Sequence, residues 1–413
     1  MKSDVMALTK EISLSEVSRI AARILSSEAP ASPGYLSGEA GIILFLTACH
    51  FSSTGKDRVI GSLIDEGRYQ RRKKESILRM KKYVLMDLPD SEISWSLADG
   101  LFGILHVLLL IDRLYPDPEI SALLPLVMER ACDYMPGDKV YCDVYMGIAG
   151  VISVLAECLA HSQYHRNGSS SDRQLLMTLS FILEGCLDRI LELKDCSSDS
   201  GIWDTLLTGH PVSGYGHGMA GIGSALLRGL KALLSIRSVS VQKQRLLQEA
   251  ADSAFAFELR TFSKLLNEWP DLRPSKDPGK YLGGICSGAP GIAFGTLPFT
   301  DHDALAEELY TVACRSLIDN PPVKRDHLCC GKASAAAFFL SDPPRFNSED
   351  AGMRAGHILS LILLDKEKNN GSYILPDPVT GPIDTLSLFF GSAGIGMALL
   401  AYGTGIPFPG LFP

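Results

Sequence analysis

His217-Gly218-Met219-Ala220-Gly221-Ile222 is a short phrase in which two small residues stand three apart and an apolar run follows the second. The chain writes it seven times. The other copies are Ser37-Gly38-Glu39-Ala40-Gly41-Ile42, Asp99-Gly100-Leu101-Phe102-Gly103-Ile104, Met146-Gly147-Ile148-Ala149-Gly150-Val151, Ser287-Gly288-Ala289-Pro290-Gly291-Ile292, Cys330-Gly331-Lys332-Ala333-Ser334-Ala335 and Phe390-Gly391-Ser392-Ala393-Gly394-Ile395. Their first glycines are separated by 62, 47, 71, 70, 43 and 60 residues. Each interval holds a helix, a connection and a second helix, so the repeating unit reads as a helical hairpin. Glycines three apart share one face of a helix start, where missing side chains let the backbone turn sharply and approach a neighbour.

The apolar run Ile104-Leu105-His106-Val107-Leu108-Leu109-Leu110 is hydrophobic nearly all round, the pattern of a helix buried on every side. Glu11 to Ser27 and Asp303 to Ile318 are amphipathic and suit an outer layer with one wet face. Two helical layers with a shared glycine turn predict an all-α fold, an α/α toroid built as a double ring of seven helical-hairpin repeats with Gly-x-x-Gly turns. The expected organisation is a single domain over residues 1–413, with the seven turns gathered at one end around a cavity.

Composition agrees with a folded enzyme-sized protein. Hydrophobic residues make up 46% of the 413 and charged ones 21%, enough for a large core and far from the composition of disorder. The net charge of -8 excludes a general nucleic-acid binder. Met1 to Glu11 has no apolar stretch suited to a signal peptide, and the pure hydrophobic runs are shorter than a membrane span, so a cytoplasmic location is expected. The basic cluster Arg68, Arg71, Arg72, Lys73, Lys74, Arg79, Lys81 and Lys82 reads as a solvated helix face, with docking of an acidic peptide or partner as the alternative.

In a reducing compartment, cysteines with ligand-like spacing point to a metal rather than a disulfide. Cys329 and Cys330 are adjacent in His327-Leu328-Cys329-Cys330-Gly331, 43 residues after Cys286 in Gly284-Ile285-Cys286-Ser287-Gly288. Three soft ligands at glycine-marked turns suit a zinc ion that keeps one coordination position open. Cys49, Cys132, Cys142, Cys158, Cys186, Cys196 and Cys314 have no such spacing and read as core or surface thiols.

These repeats and cysteines resemble the lanthionine synthetase C-like cyclases across nearly the whole chain. That family carries Cys-x-Gly in its fifth repeat and Cys-His-Gly or Cys-Cys-Gly in its sixth, matched by Cys286-Ser287-Gly288 and Cys329-Cys330-Gly331. The resemblance implies Zn2+ held by Cys286, Cys329 and Cys330, in the Cys-Cys-Gly form similar to cyclase domains of some bifunctional class II synthetases. It implies catalytic roles for His217, just before the fourth Gly-x-x-Gly, and Asp143, four residues before the third. The implied reaction is intramolecular addition of a peptide cysteine to dehydroalanine or dehydrobutyrine, closing a (methyl)lanthionine thioether. The implied partners are a dehydrated precursor peptide, a separate dehydratase and peripheral association with a synthetase or transporter complex.

Each residue answers a need of that reaction. A thiol with a pKa of about 8.5 is mostly protonated near neutrality, and coordination to zinc removes its proton. Three thiolates would leave the ion with a formal charge of about -1, favouring a nucleophilic fourth sulfur over Lewis acidity. A histidine with a pKa of about 6.5 suits acceptance of the thiol proton and its return to the α-carbon, and a buried carboxylate suits the orientation of its ring. The plainer readings are a structural hydrogen-bonded His217, an Asp143 that caps a helix, an apolar cysteine cluster and a loop role for His327.

The match departs from the family pattern at four places. Ile285 stands where the family has Trp, Leu282 where it has Arg and Ser287 where an aromatic or histidine is usual, while Ser334 replaces the second glycine of the sixth repeat. Lys280 is the nearby cation that could occupy the arginine's space. Two other functions fit the same residues: addition of glutathione or another external thiol to dehydrated residues, and a zinc-holding interaction scaffold without turnover. A toroidal glycosidase would need a carboxylate pair, whereas the repeat turns offer few beyond Glu39, Asp99 and Asp143.

Overall fold

A computed structural model of the chain describes residues 2–30, 32–54, 62–86, 92–137, 140–164, 170–194, 202–205, 210–273, 281, 283–341, 343, 345–375 and 386–410. In chain order the helices are α1 (Lys2–Leu25), α2 (Glu39–Thr54), α3 (Glu66–Leu85), α4 (Glu92–Trp95), α5 (Leu101–Leu114), α6 (Pro118–Ser121), α7 (Leu124–Ala131), α8 (Ile148–Tyr164), α9 (Ser170–Glu192), α10 (Met219–Ile236), α11 (Val241–Thr261), α12 (Ala289–Thr296), α13 (Ala304–Asp319), α14 (Lys332–Leu340), α15 (Ser348–Lys368) and α16 (Ser392–Thr404). No β-strand forms among the described residues, as the all-α expectation requires.

Seven helices, α2, α5, α8, α10, α12, α14 and α16, begin on the residue immediately after the first glycine of a repeat. The glycine pair therefore works differently from two neighbours on one helix face. The first glycine lies outside the helix as its cap, and the second lies in the first turn. Both face the helix's own incoming loop: a Cβ on Gly41, Gly150, Gly221, Gly291 or Gly394 would come within 1.9 to 2.1 Å of the carbonyl oxygen six residues earlier. No side chain fits that space, which accounts for the recurrence of the motif. In the sixth repeat Ser334 is accommodated by a tighter start, its backbone N–H donating to the Gly331 carbonyl at 3.0 Å and its hydroxyl to the same oxygen at 2.5 Å.

The helices that follow the glycine turns are the buried ones, and those between them have a wet face. Residues Met219 to Leu227 of α10 are buried, whereas α11 buries only Leu247, Ala250, Ala251, Ala254, Phe255 and Glu258. Helix α10 is long and apolar enough to cross a membrane by length and composition, but 72% of it is buried inside the protein, as befits an inner helix.

The chain forms two compact units. One comprises residues 1–86, 110–123 and 322–411; the other comprises 87–109, 124–321 and 412–413. In the second unit, backbone hydrogen bonds link the glycine loops of consecutive repeats. Ala98 N–H donates to the Tyr145 carbonyl at 2.8 Å, Val144 and Tyr145 both donate to Gly216 at 3.1 Å, and Tyr215 donates to Ile285 at 3.3 Å. In the first unit Phe389 donates to Leu36 at 3.1 Å and Cys329 to Phe389 at 3.0 Å. Loop after loop is thereby held beside the next within each unit.

The basic cluster on α3 divides in two. Arg72 is buried and grips the buried Glu39 carboxylate through two bonds of 2.8 Å, while Lys73 is buried against Asp117 at 2.9 Å. Arg71, Lys74, Lys81 and Lys82 are exposed, so the solvated-face reading holds for these and fails for Arg72 and Lys73, which the amphipathic pattern alone could not separate. Glu39 is the first residue of α2, and Arg72 ties that glycine turn to the outer helix. Breaking a buried ion pair by removing one partner costs about 3–5 kcal/mol. Arg72→Ala should therefore lower the unfolding free energy obtained from denaturant titration by that amount, and Arg71→Ala should leave it nearly unchanged.

Candidate metal centre

The loop from Tyr141 to Gly147 precedes α8, and its conformation is set by Asp143. This carboxylate is fully buried, and its Oδ1 accepts from the Met146 N–H at 2.7 Å, closing a local turn. Oδ2 accepts from His217 Nδ1 at 3.0 Å. One oxygen thus closes the turn ahead of Gly147 and the other bonds the histidine ring, while the N-cap position of α8 falls to Gly147 and not to Asp143. His217 sits one residue before the first glycine of its repeat, with 14% of its side chain exposed. With Nδ1–H donated to Asp143, the neutral ring carries its lone pair on Nε2, available to accept a proton.

Sequence reasoning passed over Tyr145, two residues after Asp143. Its ring meets the His217 ring edge-on, with centroids 5.1 Å apart and planes at 81°. Its hydroxyl lies 3.9 Å from Cys286 Sγ. Gly216 makes this possible, since a Cβ there would come within 2.4 Å of the Tyr145 ring. Gly214, with φ of 117°, allows the His217 loop to lie against the Cys286 loop, because a Cβ would meet the Cys286 carbonyl at 2.3 Å. The signal available in the sequence was the pair of glycines in Gly214-Tyr215-Gly216, two positions without a side chain just ahead of His217.

Cys286 belongs to the second unit with Asp143, Tyr145 and His217; Cys329 and Cys330 belong to the first. Cys286 and Cys329 are buried, Cys330 is partly exposed, and the Sγ atoms of Cys329 and Cys330 lie 3.5 Å apart. That spacing is close to the edge of about 3.8 Å expected for a tetrahedron with metal–sulfur bonds of about 2.3 Å. All three cysteines are soft donors of the kind that fits zinc, two side by side in the first unit and one in the second. His327 is not part of the group; its Nδ1 accepts from the Cys330 N–H at 3.3 Å and its ring lies beside Phe390, so it shapes the cysteine loop. Burial pushes His327 down to a pKa of about 4, leaving it neutral near pH 7.

The other cysteines differ in kind. Cys49, Cys142, Cys158, Cys186 and Cys314 are buried, and burial pushes Cys142 and Cys314 up to about 12, so neither is a ready nucleophile. Cys196, Leu282 and Lys280 lie outside the described residues.

The lanthionine synthetase C-like protein family model matches residues 120–412. The chain belongs to that family. All of Asp143, His217, Cys286, Cys329 and Cys330 fall within the matched residues. Among solved structures nisin cyclase is similar, with 16% sequence identity over 97% of this chain and 95% of that one and a TM-score of 0.58. The likeness shows the fold of this family member to be the α/α toroid that its repeats predicted. No curated protein matches the chain by sequence.

Two buried carboxyl groups hold the loops that carry His217 and Cys286. Glu258 of α11 accepts at Oε1 from the Gly214 and Ala220 N–H groups at 2.9 and 2.8 Å, and Glu268 accepts at Oε1 from Ala289 N–H at 3.0 Å. Burial raises Glu258 to a pKa of about 8 and Glu268 to about 7, against an ordinary 4.5. Between pH about 4.5 and 8 the folded protein keeps a Glu258 proton that the unfolded chain has lost, so stability falls as pH rises through that window, by up to about 1.4 kcal/mol per pH unit. Glu258→Gln mimics the protonated form. It should flatten the decline in melting temperature between pH 5 and pH 8, and an unchanged decline would show that Glu258 ionises freely.

Proposed function

We propose that this chain is a zinc-dependent lanthipeptide cyclase that joins peptide cysteine thiols to dehydroalanine or dehydrobutyrine in the same peptide. The observation that carries the proposal is the Asp143–His217 pair, bonded at 3.0 Å, beside Tyr145 and Cys286 in a member of the lanthionine synthetase C-like family. Membership of that family and the toroid shared with nisin cyclase support a peptide substrate. The single-domain organisation over 1–413, a cytoplasmic location, a separate dehydratase and peripheral association with a larger complex belong to the same proposal.

Cys286, Cys329 and Cys330 would hold the zinc, which when bound acidifies a thiol and keeps its sulfur nucleophilic. His217 accepts the thiol proton at Nε2 while Asp143 stabilises the imidazolium through Nδ1. The sulfur forms its bond to the β-carbon, the carbon–carbon π pair moves to the α-carbon and its carbonyl, and His217 returns the proton to the α-carbon. Nothing is lost or gained: the product has the precursor's mass and one thiol fewer per ring. Asp143 is needed in its ionised form and His217 neutral, so the pair sets the direction of the first proton transfer.

Purified protein should contain close to one zinc per chain. A dehydrated peptide incubated with it should keep its mass and lose sites for thiol alkylation. A mass raised by the weight of an added thiol would instead establish external-thiol transfer, and bound peptide with unchanged thiols would establish a scaffold. His217→Asn should lower turnover by about 10²- to 10⁴-fold at unchanged zinc content, the range for loss of a general acid–base group. If it retained full activity, the proton donor would have to be another residue.

A further inference from the structure

We infer that Tyr145 is a positioning residue of the metal centre, and that its hydroxyl orients the Cys286 sulfur while its ring fixes the face of His217. The inference rests on the proposed metal-holding role of Cys286. Three observations lead to it. Tyr145 is buried at 3% exposure, so its hydroxyl has little water to turn to. That hydroxyl is 3.9 Å from Cys286 Sγ, within the range of a hydrogen bond to sulfur. The same ring packs edge-on against His217 at 5.1 Å, and both backbone polar groups of Tyr145 are fixed, its N–H to Gly216 and its carbonyl by Ala98. One side chain from the third repeat thus touches the acid–base residue of the fourth and the sulfur residue of the fifth.

The chemistry gives the contact a direction. In the structure the contact runs between the Cys286 sulfur and the phenol oxygen. A thiolate has no proton to give, so when Cys286 serves as a ligand the phenol O–H must donate to sulfur. Such a bond withdraws charge from the sulfur and restricts its direction, and partners of this kind are worth about 10- to 100-fold in metal affinity or activity. Placement explains why the contact comes from outside the fifth repeat. Ser287 follows Cys286, and a serine is too short to lie along the neighbouring sulfur and a histidine ring together. Gly216, whose missing side chain leaves room for the Tyr145 ring, lets the third repeat supply the aromatic.

The test replaces zinc with Co2+, whose thiolate charge-transfer band reports directly on sulfur donors. Wild-type protein should show that band. Tyr145→Phe, which keeps the ring and loses the hydroxyl, should shift it to longer wavelength, because a sulfur without a hydrogen-bond donor gives up charge more readily. The Co2+ dissociation constant, measured against a competing chelator, should rise about tenfold. The His217 ring signals in NMR should stay in place in Tyr145→Phe and move in Tyr145→Leu. A wild-type band that Tyr145→Phe leaves unmoved, with unchanged affinity, overturns the inference while the metal reading stands. Absence of any thiolate band in wild-type protein overturns both.

Discussion

Close approach of a glycine to a carbonyl oxygen is the constraint on which the rest of the structure depends. At Gly41, Gly150, Gly221, Gly291 and Gly394 the incoming loop runs so near the first helical turn that a single added carbon would lie about 2 Å from a backbone oxygen. The chain can therefore turn from a loop into a buried helix within a few residues. Because the loop is pressed against its own helix, its remaining backbone groups face sideways, and in each unit they bond to the next loop. An ordinary residue at those places would open the turn and unpair the loops.

Buried carboxyl groups then secure what the glycines allow. Each glycine turn exposes amide protons at the start of a helix, and capping by glycine leaves them without a side-chain acceptor. Glu258 and Glu268 fill that need from outside the repeat, and Asp143 instead closes the turn of its own loop. Holding a carboxyl in an apolar interior raises its pKa, so the amide protons are met by groups that stay protonated well above the usual range. Asp143 is used twice, and its second oxygen is what gives His217 a defined tautomer.

The fold was largely legible in the sequence because it is repetitive. Seven copies of one phrase with apolar runs behind them leave few arrangements that bury every run, and each copy marked a helix start to the residue. His217 and Asp143 were found through their family positions, since a histidine before a glycine has no periodic signature of its own. Tyr145 was missed because its role depends on two other repeats, 71 and 141 residues away in position number if His217 is set aside and Gly216 and Cys286 are taken. Glu258 and Glu268 were missed for a related reason: a glutamate in a mostly polar helix reads as solvated until the depth of its face is known.

Residue identity by itself determined the all-α class, the places where inner helices begin and the presence of three soft metal donors, since those follow from side chains that are absent or chemically distinctive. Tertiary structure decided which residues meet. It made Arg72 internal and Arg71 external on the same helix, brought Asp143 to His217, and laid the Tyr145 hydroxyl beside Cys286. Periodicity records only the direction a side chain takes from its own element. Contact between repeats depends on how closely their loops can approach, and that distance is set by backbone packing at the glycines.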